Sequence, residues 1–350
     1  MRSDSRGARV SFETLPYEQC TEEIIAFRNS QRETQRDNHY FAWRYAGKPS
    51  EYGAHVTFAR DAAGAPVASA SAISHDFHLG DVSGAVSIVG DIAVTTAYRG
   101  HGIASRLLSE LRKASLERGL RGCFVLPNAD VVGALARAGW TQVAVIARFV
   151  SPLSVKGRLG RKFGPLGRLA GELADVFLRA ADGRAPVRSG RPYTYSEAMN
   201  FGAAYDELWE RLPKSGRFLA RRSREYLQWR FTRKPSAGYR ILEQRRGADL
   251  AGYVVYRTIG GLATIEDFLV TDEAASVALG RSFVAAVRDG REAETIQARF
   301  VADTPFAVPW RRGTFVKRPD FQFVMWADAE PRADSSRSAS WFVTPADKDV

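Results

Sequence analysis

The sequence predicts an α/β protein of two tandem domains. A chain of 350 residues is long enough to bury two cores, and 45% hydrophobic with 25% charged residues is a globular composition. A second observation is an apolar strand pattern that runs through a glycine-bearing turn into a helix pattern, from Val89 to Leu108. The third is a Trp-Arg-aromatic motif that occurs once in each half of the chain.

The strand–turn–helix pattern is the most informative part of the chain. Apolar, β-branched residues before Thr95 indicate a buried strand, and apolar residues at helical spacing follow Gly102. Gly100 and Gly102 permit unusual φ angles and a close approach to the backbone. The free N–H groups at a helix start, with the helix dipole, favour an anion there. The pattern therefore predicts a phosphate site, or alternatively an ordinary tight turn between a strand and a helix.

Known phosphate motifs discriminate between classes of nucleotide-binding protein. A Walker loop is excluded because no Gly-Lys-Ser/Thr follows, and a dinucleotide fingerprint fails because Ser105 replaces its third glycine. Arg99-x-x-Gly102-x-Ala104, with Ala93-Val94 upstream, resembles motif A of the GNAT acyl-CoA N-acyltransferases. The resemblance implies domains with a mixed, mostly antiparallel sheet flanked by helices. It also implies an acyl-CoA, with acetyl-CoA as the expected one, whose pyrophosphate contacts the loop and whose pantetheine arm pairs with the strand.

The next segment agrees with the same family. A strand pattern from Arg121 to Leu126 is followed by Pro127-Asn128 and a short helix ending at Gly139-Trp140. Many family members carry a tyrosine four residues before that glycine as the acid for the leaving thiolate, whereas this chain has Leu135. The residues that the resemblance assigns to the cofactor are Ile92, Ala93, Val94, Arg99, Gly100, His101, Gly102, Ile103, Ala104 and Asn128.

The two halves resemble each other. Residues 40–50 and 226–236 share tyrosine, Trp-Arg-aromatic and Lys-Pro-Ser, and Asp91–Thr95 matches Asp267–Thr271. After Thr271 come two acids and no glycine, so the second copy is predicted to be degenerate and unable to bind coenzyme A. The presence of the Trp-Arg motif in both copies favours a structural role for it. The predicted units are an N-terminal domain (8–150), a basic connector (151–192), a degenerate domain (193–330) and a polar C-terminal tail (331–350).

The remaining elements follow from hydrophobic periodicity and turn residues. Helices are expected at 21–32, 205–211 and 277–288, and strands at 54–60, 67–73, 239–244 and 251–258.

The connector contains an amphipathic helix within 156–181. Leu166, Leu169, Leu173, Val176 and Phe177 lie at helical spacing, and 156–191 contains nine basic and three acidic residues. One interpretation is peripheral contact with an anionic membrane. The other is a helix that packs its apolar face on one of the domains.

Composition excludes several classes. Two cysteines rule out a disulfide framework, and five scattered histidines lack metal-ligand spacing, so no metal is expected. Neither a signal peptide nor an apolar run long enough for a membrane span is present, which predicts a cytoplasmic protein. The net charge of +11 is concentrated in the connector, so no nucleic-acid partner is expected, and the oligomeric state is not predicted.

Acyl transfer to an amine requires a base. Asp91 is the titratable group of the signature strand, and an apolar environment is expected to raise its pKa; His75, Asp76 and His78 are weaker candidates. The predicted function is direct acyl transfer to the amine of a small metabolite, such as an amino sugar or an envelope polysaccharide precursor. The alternatives are a Fem-like transferase that uses aminoacyl-tRNA and a non-catalytic acyl-CoA-binding regulator.

Overall fold

The computed structural model describes residues 9–183, 193–235, 238–304, 315–328 and 337–348. In the first half, the helices and strands include the predicted ones, and the strand predicted at 67–73 continues to Gly80. They are β1 (Ser11–Pro16), α1 (Thr21–Ser30), α2 (Asn38–Phe41), β2 (Ala54–Arg60), β3 (Pro66–Gly80), β4 (Val82–Val94), α3 (Ile103–Glu117), β5 (Gly122–Val125), α4 (Ala129–Arg137), β6 (Thr141–Pro152) and α5 (Lys156–Gly183).

The second half repeats much of this order. Its elements are β7 (Thr194–Ala198), α6 (Ala203–Arg211), β8 (Arg217–Ala220), α7 (Arg224–Leu227), β9 (Arg240–Arg246), β10 (Asp249–Ile259), β11 (Leu262–Val270), α8 (Glu273–Asp289), β12 (Thr295–Val301), β13 (Val316–Asp328) and β14 (Trp341–Phe342). None of the helices in the described ranges is long and apolar enough to cross a membrane.

One continuous sheet spans both halves, in the order β1-β2-β3-β4-β5-β13-β6-β12-β11-β10-β9-β7. Along this order only β4–β5 and β11–β12 are parallel, and the other pairs are antiparallel. The predicted mixed, mostly antiparallel fold is therefore confirmed. Helix α3 packs the apolar side chains of Leu107, Leu108 and Leu111 on the first half of the sheet, and α8 packs on the second.

The sheet does not follow the predicted boundary at residue 150. Strand β6 pairs with β12 of the second half, and β13 lies between β5 and β6. Met325 and Ala327 of β13 are buried in the same core as Leu107 of α3. The two halves thus exchange strands, because β13 supplies the partner that β5 lacks in its own half.

The prediction of a polar C-terminal tail is wrong for residues 337–348. Trp341 and Phe342 are buried, and Asp347 is bound by the buried guanidinium of Arg222 at 2.7 Å. The segment contains Thr344 and Asp347 among its apolar residues, which makes its sequence look polar. The polar atoms of these two side chains form hydrogen bonds inside the protein.

The two copies of the Trp-Arg motif meet in the core. Trp43 and Trp229 stack at 5.3 Å between ring centroids, and each indole N–H donates to the other residue's carbonyl oxygen, at 2.8 and 2.7 Å. Lys48 lies over the Trp229 ring and Lys234 over the Trp43 ring, both at 5.5 Å. Each motif follows a short helix and forms a π-helical turn. These reciprocal contacts relate the two halves by an approximate two-fold arrangement; Ser236 lies outside the described residues.

Candidate functional site

The candidate site is the cleft that opens where two parallel strands separate. Strands β4 and β5 pair only at Ser87–Cys123 and Ile88–Phe124, and then diverge. The space between them is a cleft of about 220 Å³. Its lining residues are Arg28, Val89, Gly90, Asp91, Ile92, Val125, Leu126, Pro127, Asn128, Val131 and Lys348.

The glycine loop lies between β4 and the start of α3. Gly100 and Gly102 have φ of 82° and 73°, a region that side-chain-bearing residues rarely adopt, and an added Cβ at either would meet open space. The first helical hydrogen bond of this turn runs from the Arg106 amide to the Gly102 carbonyl. The preceding amides, from Ile103 to Ser105, are therefore outside the helical ladder and are available to an anion.

Side chains fix the loop without closing it. The Arg99 Nε donates to the Val94 carbonyl at 3.1 Å, and the Ser105 hydroxyl donates to the Gly102 carbonyl at 2.9 Å. His101 is exposed, with its Nδ1 2.9 Å from the Arg99 carbonyl. These contacts stabilise the strand-to-helix turn and leave its outer surface accessible.

The end of β4 offers a free backbone edge. Ala93 and Val94 pair with Ser69 and Ala68 of β3 on one side. On the other side, the ladder to β5 stops at Ile88, and residues 92–94 are half-exposed. Such an edge accepts an extended ligand by the hydrogen bonding of an added strand.

Two residues beyond β5 differ in what they contribute. Asn128 is the exposed N-cap of α4, lines the cleft and makes no capping hydrogen bond with its side chain. Leu135 of α4 is fully buried in the core that contains Trp140. It thus provides no proton donor to the cleft.

Asp91 lies in the cleft wall at a β-bulge, where Ser69 and Ser71 of β3 face Ala93 and Gly90. Its φ of 49° is unusual for a residue with a side chain, although aspartate tolerates this region better than most. The bulge turns its carboxylate away from the free edge and toward α1 and the first Trp-Arg motif.

Four donors surround the Asp91 carboxylate. Arg28 and Arg32 approach one carboxylate oxygen at 3.0 and 2.5 Å. Arg44 approaches the other oxygen at 3.1 Å, and that oxygen also accepts a hydrogen bond from the Tyr45 hydroxyl. Burial alone would raise the pKa of Asp91, but the three guanidinium groups outweigh burial and lower it to about 2. The expectation of a raised pKa is therefore wrong. A carboxylate held this way is a poor base near neutral pH and instead anchors α1 to β4.

The histidine candidates lie away from the cleft. His75 is buried, stacks on Tyr226 at 4.1 Å and has its Nε2 3.0 Å from the Arg221 carbonyl. Burial and nearby cations hold the pKa of His75 well below its usual range. It belongs to the contact between the halves, and neither Asp76 nor His78 lines the cleft.

Sequence reasoning missed Lys348. Its exposed side chain lines the cleft because the buried segment 341–347 carries the chain back to the first half. Only the packing of that segment reveals this position, so no sequence signal was available. No group of metal-ligating side chains occurs within the described ranges.

The corresponding region of the second half is filled. Strands β11 and β12 also pair over only three residues. Here, however, the ring of Phe268 packs against those of Phe300 and Phe342, with 5.7 and 5.3 Å between ring centroids. At the start of α8, the Asp272 carboxylate accepts a hydrogen bond from the Ala275 amide at 2.7 Å. The chain's own carboxylate thus takes the position that an anion would take at α3.

Comparison with known proteins agrees with this geometry. A family model described as acetyltransferase (GNAT) family matches residues 16–140, and the comparison with curated proteins finds no match. A probable N-acyltransferase of unknown function from Enterococcus faecalis is 12% identical, with a TM-score of 0.64 over 92% of this chain and 73% of its own. Saccharomyces cerevisiae N-myristoyltransferase with bound myristoyl-CoA is 13% identical, with a TM-score of 0.54 over 94% and 83%. Eis1 from Mycobacterium abscessus is 14% identical, with a TM-score of 0.56 over 90% and 73%.

At these identities the solved structures establish a shared fold. The family match concerns residues 16–140, so the part of the chain that resembles an acetyltransferase (GNAT) family domain lies in the first half.

Proposed function

We propose that the first half binds an acyl-CoA, in the simplest case acetyl-CoA, and transfers its acyl group directly to the amine of a small metabolite. The observation that carries this proposal is the cleft between the diverging strands β4 and β5, with the open glycine loop at the start of α3. The loop amides from Ile103 onward would hold the pyrophosphate, with Arg99, Gly100, His101, Gly102 and Ala104 around it. The edge of Ile92, Ala93 and Val94 would pair with the pantetheine arm, beside Asn128.

The reaction joins the amine nitrogen to the thioester carbonyl carbon, breaks the carbon–sulfur bond and releases a thiolate, and the proton that the nitrogen loses passes to solvent. Since Leu135 cannot protonate that thiolate, we assign this role to the ammonium group of Lys348 in the cleft wall. Asp91 positions the cleft wall through its arginine contacts. The second half, whose cleft is filled, would support the first and not bind coenzyme A itself; we infer that it arose by duplication.

The test is turnover of acetyl-CoA with a panel of amines that includes amino sugars, amino acids and polyamines, followed by release of the free thiol. We expect thiol release that depends on the acceptor. Binding of coenzyme A without turnover for any amine would favour a regulator. Transfer from aminoacyl-tRNA but not from acetyl-CoA would favour the Fem-like alternative.

The pH dependence should come from the acceptor. Because Asp91 has a pKa of about 2, it provides no base near neutral pH, and the amine must arrive deprotonated. We expect kcat/KM to rise about tenfold per pH unit up to the pKa of the acceptor amine itself. For two acceptors with different amine pKa values, the rising parts of the pH profiles of kcat/KM should be displaced along the pH axis by that difference. If kcat/KM rose over the same pH range for both acceptors, the titrating group would be a base of the enzyme.

Replacing Lys348 by methionine should lower kcat by about 10- to 100-fold, since the thiolate would leave without its proton donor. The affinity for coenzyme A, measured by calorimetry, should not change. Lys113→Met is the matched control, because Lys113 is an exposed lysine of α3 whose ion pair with Glu117 is long, at 3.9 Å. Equal rates for Lys348→Met and the wild type would remove Lys348 from the mechanism.

A further inference from the structure

Helix α5 is a hairpin of two helical arms and not one rod. Gly164, with φ of 63° and ψ of −144°, breaks the helix, and Pro165 begins the second arm. The second arm packs on the first through its glycines. A Cβ on Gly167 would lie 2.2 Å from the Leu159 carbonyl oxygen, and one on Gly171 would lie 2.4 Å from the Cα of Lys156.

The apolar stripe of the second arm consequently faces away from the protein. Leu166 is 80% exposed, Leu169 and Leu173 are 60% exposed, and Val176 is 61% exposed. With Phe163 these are five of the ten large apolar side chains that are exposed within the described ranges. The interpretation in which this face packs on a domain is therefore wrong for these four residues; the side chain of Phe177 lies outside the described ones.

Basic side chains accompany the stripe. Lys162 lies over the Phe163 ring at 5.3 Å, and neither Lys162 nor Arg168 forms an ion pair with a described residue. Of the acids on the second arm whose side chains are described, Glu172 is paired with Lys156, and Asp175 accepts hydrogen bonds from Ser154 and from the Val155 amide. An exposed apolar stripe beside unpaired cations fits a surface that is apolar inside and anionic at its boundary.

We propose that the α5 hairpin binds the surface of an anionic lipid bilayer, with Leu166, Leu169, Leu173 and Val176 inserted among the acyl chains and the basic residues at the headgroups. A second copy of this chain is a poorer occupant, because two molecules of net charge +11 would bring the same cations together. This surface is separate from the cleft between β4 and β5. If the proposed acyltransferase function holds, binding to a bilayer would bring the enzyme close to an amine acceptor that is held at the membrane.

The test is co-sedimentation of the full chain with vesicles of phosphatidylcholine alone and with added phosphatidylglycerol. We expect binding to the anionic vesicles that weakens with salt. The double variant Leu169→Gln with Leu173→Gln should bind at least tenfold more weakly, because glutamine keeps the helix propensity and removes the apolar side chains. Ile259→Gln is the matched control, since Ile259 is 67% exposed elsewhere on the surface.

Sedimentation of the protein without vesicles measures its oligomeric state and so tests whether a second copy of this chain covers the apolar stripe. No binding of the wild type to anionic vesicles, or equal binding by the double variant, would overturn the proposal. A wild-type dimer that the double variant converts to a monomer, without vesicle binding, would show instead that a second copy covers the stripe. Circular dichroism of each variant should match the wild type, because both substituted leucines are exposed.

Discussion

Replacing Gly102 by aspartate is expected to abolish coenzyme A binding, with an affinity loss of at least about 100-fold, or roughly 2.7 kcal/mol. Gly102 caps α3 with φ of 73°, so any side chain there strains the backbone that orients the loop. A carboxylate at this point would also face the pyrophosphate with like charge and compete for the helix amides, as Asp272 does at α8. Calorimetric titration with coenzyme A measures the loss.

Gly119→Asp is the matched control for this variant. Gly119 follows the other end of α3, has φ of 84° and is equally open around an added Cβ. Both variants carry a similar backbone cost, about 1–2 kcal/mol of unfolding free energy. Only Gly102→Asp should lose the ligand. Unaltered affinity in Gly102→Asp would refute the loop as the pyrophosphate site, and equal losses in both would point to a general effect on folding.

Asp91→Asn should be the most destabilising polar substitution of the first half, costing about 3–5 kcal/mol of unfolding free energy. The variant leaves Arg28 and Arg44 buried without the carboxylate that neutralises them. Urea denaturation followed by tryptophan fluorescence measures the change. Asp76→Asn is the control, because its exposed ion pair with Arg221, at 3.9 Å, contributes little.

The same substitution has a defined pH signature. The pKa of Asp91 falls from 3.8 to about 2 on folding, so the unfolded chain binds more protons between these values. The contribution, about 2 kcal/mol, is fully present above pH ~5 and is lost as the pH falls toward 2. The stability difference between the wild type and Asp91→Asn should narrow over that range. An Asn variant of wild-type stability but without activity would restore Asp91 as a catalytic group.

The glycine loop between β4 and α3 could be predicted because its conformation depends on local residues. Glycines at 100 and 102 and the apolar spacing after Ile103 reflect backbone requirements that neighbouring residues in the sequence determine. The role of Asp91 depends instead on Arg28, Arg32 and Arg44, which precede it by 47 to 63 positions and meet it only in the fold. Burial was expected to control its pKa, and the arginines that overcome burial gave no sign in the sequence.

The exchange of strands between the two halves could not be predicted from the sequence either. The alternation in β13 and the apolar residues of 341–347 indicate burial, but nothing in them specifies which half they complete. Lys348 reaches the cleft only as a result. In the connector, the spacing of the leucines predicted a helix correctly. The face that packs on the first arm of α5 is instead the one that carries the glycines at 167 and 171, so the leucines are exposed.

The position of β13 also bears on when the first half can become native during synthesis. Strand β5 ends at Val125, and its partner Met325 leaves the ribosome about 200 residues later. Closing so long a loop is entropically unfavourable and slow. We therefore expect one side of β5 to stay unpaired until nearly the whole chain has been synthesised, and the first half to become native only after β13 is available. On this basis the sheet of the first half and the C-terminal half are expected to be completed together.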